Sequence, residues 1–242
     1  MKASSNTRPA IFLDRDGVII HDVHYLARAD QALLIEGVGD AIARVNAAGY
    51  LVVVVTNQAG VARGYFPERA IHAVHERIDN LLSASRAHVD RYYYCPHHPD
   101  AAIGRYRRHC LCRKPAAGML WRAAEELNID LSRSFLVGDK VSDVEAAQAA
   151  GCAPILVETG YGRQSTAKLL ALGWRDLVVW PTLQEAAEHC LQPRAEATPP
   201  SERGKNNGSI ANRPDIDRRL DSGHSPQVGP VLPAADRSAI QR

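Results

Sequence analysis

The sequence predicts an α/β fold, a parallel sheet flanked by helices, and three observations carry that expectation. Short apolar runs at Ile11–Leu13 and Leu51–Val55 have the length of strands buried on both faces. Segments with apolar residues at helical spacing separate these runs. Polar residues follow the runs directly, where an open parallel sheet puts its ligand crevice. Strands alternating with helices in this way argue for βαβ units with right-handed crossovers.

The first strand runs into Asp14-Arg15-Asp16-Gly17-Val18. Residues two apart in an extended chain point the same way, so Asp14 and Asp16 face one site. Carboxylates that close repel, and a cation or a shared proton relieves them. His21 to Tyr25 has no period and reads as a loop over the crevice. Val38, Ala41, Ile42 and Val45 mark a helix from Gly37 to Ala48, stopped by Gly49. Leu51–Val55 is β-branched almost throughout and leads into Thr56-Asn57-Gln58.

Pro67 suits the first turn of a helix reaching about Leu82, with Ile71, Val74, Ile78 and Leu81 on its inner face. Val89–Tyr94 is a third strand. Ala116–Leu127 reads as a helix, and Ser134–Val137 as a strand that ends in Gly138-Asp139-Lys140. Ser142-Asp143-Val144-Glu145 has the capping-box pattern of a helix start, and Gly151 closes that helix. Pro154–Val157 is a further strand, Leu177–Trp180 an edge strand, and Thr182 opens the last helix.

The chain of 242 residues is long enough for one α/β domain with appendages. We expect a loose polar N-terminus over residues 1–9, one domain over 10–192 and a disordered tail over 193–242. Seven of the 14 prolines and no aromatic residue fall in that tail, which leaves too little burial to offset its ordering entropy. A formal net charge of +2 gives no global electrostatic reason to expect nucleic acid or a membrane surface as partner. No apolar run approaches the roughly 18 residues of a membrane span, and Met1 to Pro9 has no apolar signal core. The expectation is a cytoplasmic monomer acting on a small molecule.

Four strand ends carry matching chemistry: Asp14 and Asp16, then Thr56 and Asn57, then Arg113 and Lys114, then Asp139. Carboxylates with a hydroxyl, an amide and a lysine suit Mg²⁺ beside a phosphoryl group. An aspartate there can act as nucleophile and divide one hard displacement into two easier ones. Between the second and third of these ends, Cys95 and His97 are followed after 12 residues by Cys110 and Cys112. Three thiolates and an imidazole make a closed tetrahedral Zn²⁺ set, with His98 and His109 as rival ligands. The insertion over 95–112 is too short for a cap domain. Cys152 and Cys190 stand alone and read as packed thiols.

In this order, D-R-D-G-V, T-N-Q, K-P and G-D-K-V-S-D resemble the four motifs of the haloacid dehalogenase (HAD) superfamily of phosphatases. The resemblance spans about Ile11 to Tyr161 and implies a HAD-like Rossmannoid sheet. It implies Asp14 as nucleophile and Asp16 as general acid and base, with Thr56 and Lys114 holding the phosphoryl group. Mg²⁺ would take the Asp14 carboxylate, the Asp16 backbone carbonyl and Asp139. Asp143 matches the second acid of the last motif, as a support for Lys140 or the helix start. Further candidates for phosphate or substrate contact are Asn57, Gln58, Arg113 and Lys140. Asp22 and Tyr25 are candidates for sugar hydroxyls, and Arg63 is either a substrate contact or a solvated loop arginine.

The zinc loop C-P-H-H-P…C-x-C-R-K-P, with V-T-N-Q-A-G-V-A-R-G upstream, resembles the branch that dephosphorylates D-glycero-D-manno-heptose 1,7-bisphosphate. That implies loss of the 7-phosphate during synthesis of nucleotide-activated heptose for lipopolysaccharide or related glycans. In this reading Cys95, His97, Cys110 and Cys112 hold the zinc. Two alternatives stand beside it: a histidinol-phosphate phosphatase, and a non-catalytic zinc module that binds sugar phosphates.

Overall fold

The computed structural model describes residues 7–192. Residues 1–6 and 193–242, which hold most of the expected N-terminal arm and all of the expected tail, lie outside the described residues. At the end of that arm Arg8 is held in place, its N–H donating to Asn128 O at 3.1 Å and its carbonyl accepting from Asp130 N at 3.0 Å.

Six parallel strands form one sheet in the order β3-β2-β1-β4-β5-β6. They are β1 (Ala10–Leu13), β2 (Leu51–Asn57), β3 (Arg91–Cys95), β4 (Phe135–Gly138), β5 (Ala153–Val157) and β6 (Val179–Trp180). The chain first winds outward from β1 through β2 to β3, then returns to the other side of β1 with β4. That reversal makes the β1/β4 boundary the switch point, where C-terminal strand ends leave a crevice between diverging loops.

Alternation along the strands divides the core into two layers. Ile11, Leu13, Val52, Val54 and Val137 face helices α1 (Val38–Ala47), α3 (Glu68–Ser83) and α7 (Leu183–Leu191). Phe12, Val53, Val55 and Leu136 face α4 (Gly118–Leu127) and α5 (Val141–Ala150) on the other side. Strands β1, β2 and β4 are buried on both faces along nearly their whole length, which is why they read as unbroken apolar runs.

Several boundaries differ from the sequence expectation. The inner stripe of α3 is Ile71, Val74, His75, Ile78 and Leu82, with Leu81 half-buried at its edge. A period of 3.6 carries the stripe from Ile78 to Leu82. Helix α5 starts at Val141, not after Ser142: Asp143 Oδ2 accepts from Lys140 N at 2.9 Å, so the capping acid is Asp143. Two helices were not anticipated, the four-residue α2 (Ala59–Ala62) and α6 (Gly162–Ala171). Only Gly162, Ser165 and Leu169 of α6 are buried, so it leaves almost no apolar period in the sequence. Among the described residues, no helix is long and apolar enough to cross a membrane.

Candidate active site

Asp14 leaves the end of β1 with its N–H still bonded to Val137 O of β4 at 3.0 Å, so the sheet itself fixes its backbone. Its carboxylate accepts from Arg15 N at 2.8 Å and from the Lys114 ammonium at 3.0 Å. Burial works to raise its pKa, but the charges of Lys114 and Lys140 and the Arg15 N–H outweigh it, and Asp14 is held below the ordinary carboxylate range. Lys114 is itself buried, with Nζ also 2.6 Å from Asp143 Oδ1 and 2.7 Å from Val55 O. Burial alone would lower its pKa, and the two carboxylates raise it instead. Asn57 fixes the backbone from which that lysine starts, donating to Lys114 O at 3.0 Å and accepting from Lys114 N at 3.1 Å.

Asp139 enters from the end of β4 and is fully buried. Its Oδ2 accepts from Tyr161 N at 2.9 Å, and its Oδ1 lies 3.2 Å from Lys140 Nζ. Two glycines make room for it. A Cβ on Gly17 (φ +89°) or on Gly160 (φ +55°) would lie 2.3 Å from Asp139 Oδ2. Burial first, and then the nearby charge of Asp14, push the Asp139 pKa up to about 7.

Carboxylate oxygens of Asp14, Asp139 and Asp143 lie within 4.8 Å of one another. Crowded, buried carboxylates of this kind are the donor set a hard divalent cation takes, so the residues fit Mg²⁺. Asp143 is the member already engaged, by Lys114 and by Lys140 N. Its pKa is raised, by burial above all. The Asp16 carboxylate does not join this group; it turns to Arg15 and Gln58, and only its backbone carbonyl faces Lys140 Nζ, at 3.5 Å.

The second cluster closes the loop after β3. Cys95 Sγ lies 3.5 Å from Cys110 Sγ and 3.3 Å from Cys112 Sγ, and Cys110 and Cys112 are 3.2 Å apart. His97 Nδ1 completes the set, 3.8 Å from Cys95 Sγ and 3.4 Å from Cys112 Sγ. Ligands about 2.3 Å from a tetrahedral zinc stand roughly 3.7 Å apart, close to these spacings. Hydrogen bonds from Cys112 and Cys95 hold the Cys110 thiol below its ordinary range, while Cys95, hydrogen-bonded to Cys110 and Cys112 and buried, is raised. A dication resolves that conflict by taking all three as thiolates. The group therefore fits Zn²⁺, and His98 and His109 are outside it.

A cleft of about 380 Å³ opens above Asp14, lined by Asp16, Asp22, Tyr25, Thr56, Asn57, Arg113, Lys114 and Lys140 among others. The sequence of this site has close relatives. Over 151 residues the chain is 45% identical to the D-glycero-β-D-manno-heptose-1,7-bisphosphate 7-phosphatase of Rhodopseudomonas palustris, matching 62% of this chain and 84% of that protein. With the protein of the same name from Vibrio cholerae it shares 46% over 154 residues, 63% of this chain and 83% of the relative.

The chain belongs to the heptose bisphosphate phosphatase family of HAD hydrolases.

A HAD-hydrolase-like family model also matches residues 111–186. Among solved structures, D,D-heptose 1,7-bisphosphate phosphatase from B. bronchiseptica, complexed with magnesium and phosphate, is 38% identical. It covers 76% of this chain and 98% of its own, with a TM-score of 0.68. The Burkholderia thailandensis enzyme of that name is 30% identical, covers 77% and 100% of the two chains, and has a TM-score of 0.57.

Within this family architecture, some expected contacts lie elsewhere. Gln58 is buried and off the cleft wall; its Nε2 is 2.9 Å from both Asp16 Oδ2 and Thr56 Oγ1. Arg63 is not among the residues that line the cleft. Asp22 sits on the cleft wall with Oδ2 3.2 Å from Lys140 Nζ. Tyr25 is exposed at the rim, edge-on to Tyr65 with ring centroids 4.6 Å apart. Arg113 lines the cleft and donates to His97 O at 3.3 Å, so the Cys/His loop and the cleft share it.

Sequence reasoning missed Tyr161, which holds Asp139 through its N–H and lays its ring 5.0 Å from Lys140 Nζ. No pattern marks a loop residue whose backbone does the work. It also missed the inward-facing Arg15, for which a signal existed. When both neighbours face a cleft, the residue between them faces the protein, and a charge there needs a partner.

Proposed function

We propose that this chain is a Mg²⁺-dependent phosphatase that removes the 7-phosphate of D-glycero-D-manno-heptose 1,7-bisphosphate through an aspartyl-phosphate on Asp14. The observation that carries the reading is the buried Lys114 ammonium 3.0 Å from Asp14 Oδ1 at the floor of an open cleft. It keeps one carboxylate ionised and sets a fixed positive charge where a phosphoryl group would meet it. The 7-phosphate and the heptose are named from the relatives, which carry that substrate in their names at 44–46% identity.

In this reading Asp14 attacks phosphorus, and the leaving sugar oxygen takes a proton from Asp16. Asp16 then takes a proton from the water that hydrolyses the intermediate. Thr56 and Lys114 hold the phosphoryl oxygens, Asn57 fixes the backbone of Lys114, and Lys140 adds charge from the cleft wall. Mg²⁺, held by the Asp14 and Asp139 carboxylates and the Asp16 carbonyl, would screen the charge between nucleophile and phosphate. Zinc would be held by Cys95, His97, Cys110 and Cys112, and with four protein ligands its role would be structural. Arg113, next to Cys112, is placed for the distal phosphate or the sugar. Residues 10–192 form the catalytic domain, working as a cytoplasmic monomer on a small sugar bisphosphate in nucleotide-heptose synthesis.

Asp14→Asn tests the covalent step. We expect turnover to vanish, with the circular dichroism of the folded parent and a lower melting temperature, because Lys114 then keeps only Asp143 as partner. Steady-state turnover near the parent rate in a clean preparation would overturn it.

A further inference from the structure

Arg15 is among the largest side chains of the fold that are fully enclosed, at 1% exposure, and it lies between the two cleft-facing acids. Its guanidinium takes both oxygens of its neighbour's carboxylate: Nη2 is 3.0 Å from Asp16 Oδ1 and 2.9 Å from Asp16 Oδ2, and Nε is 3.3 Å from Oδ1. Among the described residues, Asp16 is the only carboxylate within ion-pair distance of Arg15. A buried guanidinium with a single carboxylate partner holds that partner firmly, since separation would leave a charge unpaired.

Gln58 completes the hold from the far side. Its Nε2 sits 2.9 Å from Asp16 Oδ2 and 2.9 Å from Thr56 Oγ1. The arginine's backbone is fixed independently, because Arg15 O accepts from Ile19 N at 3.0 Å and Ile20 N at 3.1 Å. Asp16 is thus gripped by two side chains that are not among the residues lining the cleft.

We propose that Arg15 and Gln58 form a cradle that positions Asp16 for proton transfer to the leaving group. The inference rests on the reading of Asp16 as general acid. In the first step an Asp14 oxygen forms a bond to phosphorus and the bond from phosphorus to the sugar oxygen breaks. The sugar oxygen keeps that electron pair and takes the proton of Asp16, whose carboxylate is left ionised on the Arg15 fork. In the second step water bonds to phosphorus and gives its proton to Asp16, while the bond from Asp14 to phosphorus breaks. Both residues are positioning residues, because they touch Asp16 and not the substrate.

Leaving groups differ in how much they need that proton. A sugar alkoxide cannot depart without it, whereas p-nitrophenolate leaves unprotonated. The test measures single-turnover release of the leaving group, with Mg²⁺ present, from heptose 1,7-bisphosphate and from p-nitrophenyl phosphate. The proteins are the parent, Arg15→Lys, Gln58→Leu and Asp16→Asn. Arg15→Lys keeps the charge and loses the fork. We expect it to slow sugar release by about 30-fold or more, within the range of general acid catalysis, and p-nitrophenol release by less than about 3-fold. Gln58→Leu, which removes no charge, should bend the ratio the same way by a smaller factor, and it decides the matter if Arg15→Lys does not fold.

Asp16→Asn separates the two readings. If it slows both substrates equally, the assignment of Asp16 as general acid fails. If it is selective for the sugar while Arg15→Lys and Gln58→Leu slow both equally or neither, the cradle is overturned and the acid stands.

Discussion

The Lys114 ammonium lies 3.0 Å from the Asp14 carboxylate, both enclosed by the protein, and the same nitrogen lies 2.6 Å from Asp143. One buried cation thus serves two buried anions, and the lysine is as much a structural element as a chemical one. Breaking a buried pair by removing one partner costs about 3–5 kcal/mol, because the other charge stays behind. Lys114→Met should therefore lower the melting temperature markedly and abolish turnover, whereas Asp143→Asn, which leaves the Lys114–Asp14 pair, should cost less of both. Asp14, with its pKa lowered, contributes stability above the ordinary carboxylate range, lost as pH falls through its depressed value. Lys114, with its pKa raised, contributes below its ordinary value, lost only as pH rises through the elevated one. Thermal melts across pH should show this pair intact through the neutral range in the parent and absent in Lys114→Met.

Asp139 has the opposite sign. Its pKa of about 7 in the protein means that the folded state keeps a proton which the unfolded chain loses near pH 4. In metal-free protein its contribution to stability falls as pH rises from about 4 to about 7. Asp139→Asn should remove that decline in a chelator-treated melt series, while weakening Mg²⁺ binding measured by calorimetry. Equal pH dependence in parent and variant would contradict the burial and repulsion assigned to this carboxylate.

Gly17 and Gly160 pack against Asp139 from two loops, and a methyl on either would meet its Oδ2 at 2.3 Å. Gly17 also holds a φ of +89°, which L side chains adopt only with strain. Gly17→Ala should lose Mg²⁺ affinity at least 10-fold and lose activity with it, read by calorimetry and by phosphate release. Gly104→Ala, where a Cβ meets nothing within 4 Å, is the control and should leave both unchanged.

Removing the loop metal should act on the cleft indirectly. Arg113 bonds to His97 O at 3.3 Å, so disorder around the thiolates displaces a residue of the cleft wall. We expect Cys110→Ser to lose bound zinc, to melt several degrees lower, and to lose more kcat/KM on the bisphosphate than on p-nitrophenyl phosphate. Arg113→Ala should raise KM for the bisphosphate more than for the aryl phosphate. Equal losses on both substrates in both variants would leave the loop no part in recognition.

Much of this was legible because the apolar runs of β1, β2 and β4 each end at a residue of the candidate site. Asp14, Thr56 and Asp139 sit at those ends, so strand position and site position were one observation. The Cys/His cluster was legible because spacing alone brings Cys110 and Cys112 together, and a returning loop brings them to Cys95 and His97. What stayed hidden depends on direction. Gln58 looks like a cleft residue next to Asn57, yet its side chain turns inward to Asp16, and no periodicity applies beyond the strand's end. Arg15 carries no signal of its own between two acids, yet it is buried and pairs with one of them. Helix α6 left no signal because so little of it is buried.

One assay reads both the substrate and the bond that is cut. Purified protein with Mg²⁺ should be given heptose 1,7-bisphosphate, histidinol phosphate and simple sugar phosphates. Phosphate release should be measured for each, and ³¹P NMR should identify the position that remains on the heptose. The highest kcat/KM is expected on heptose 1,7-bisphosphate, with heptose 1-phosphate as the product. A higher kcat/KM on histidinol phosphate, or heptose 7-phosphate as the product, would contradict it.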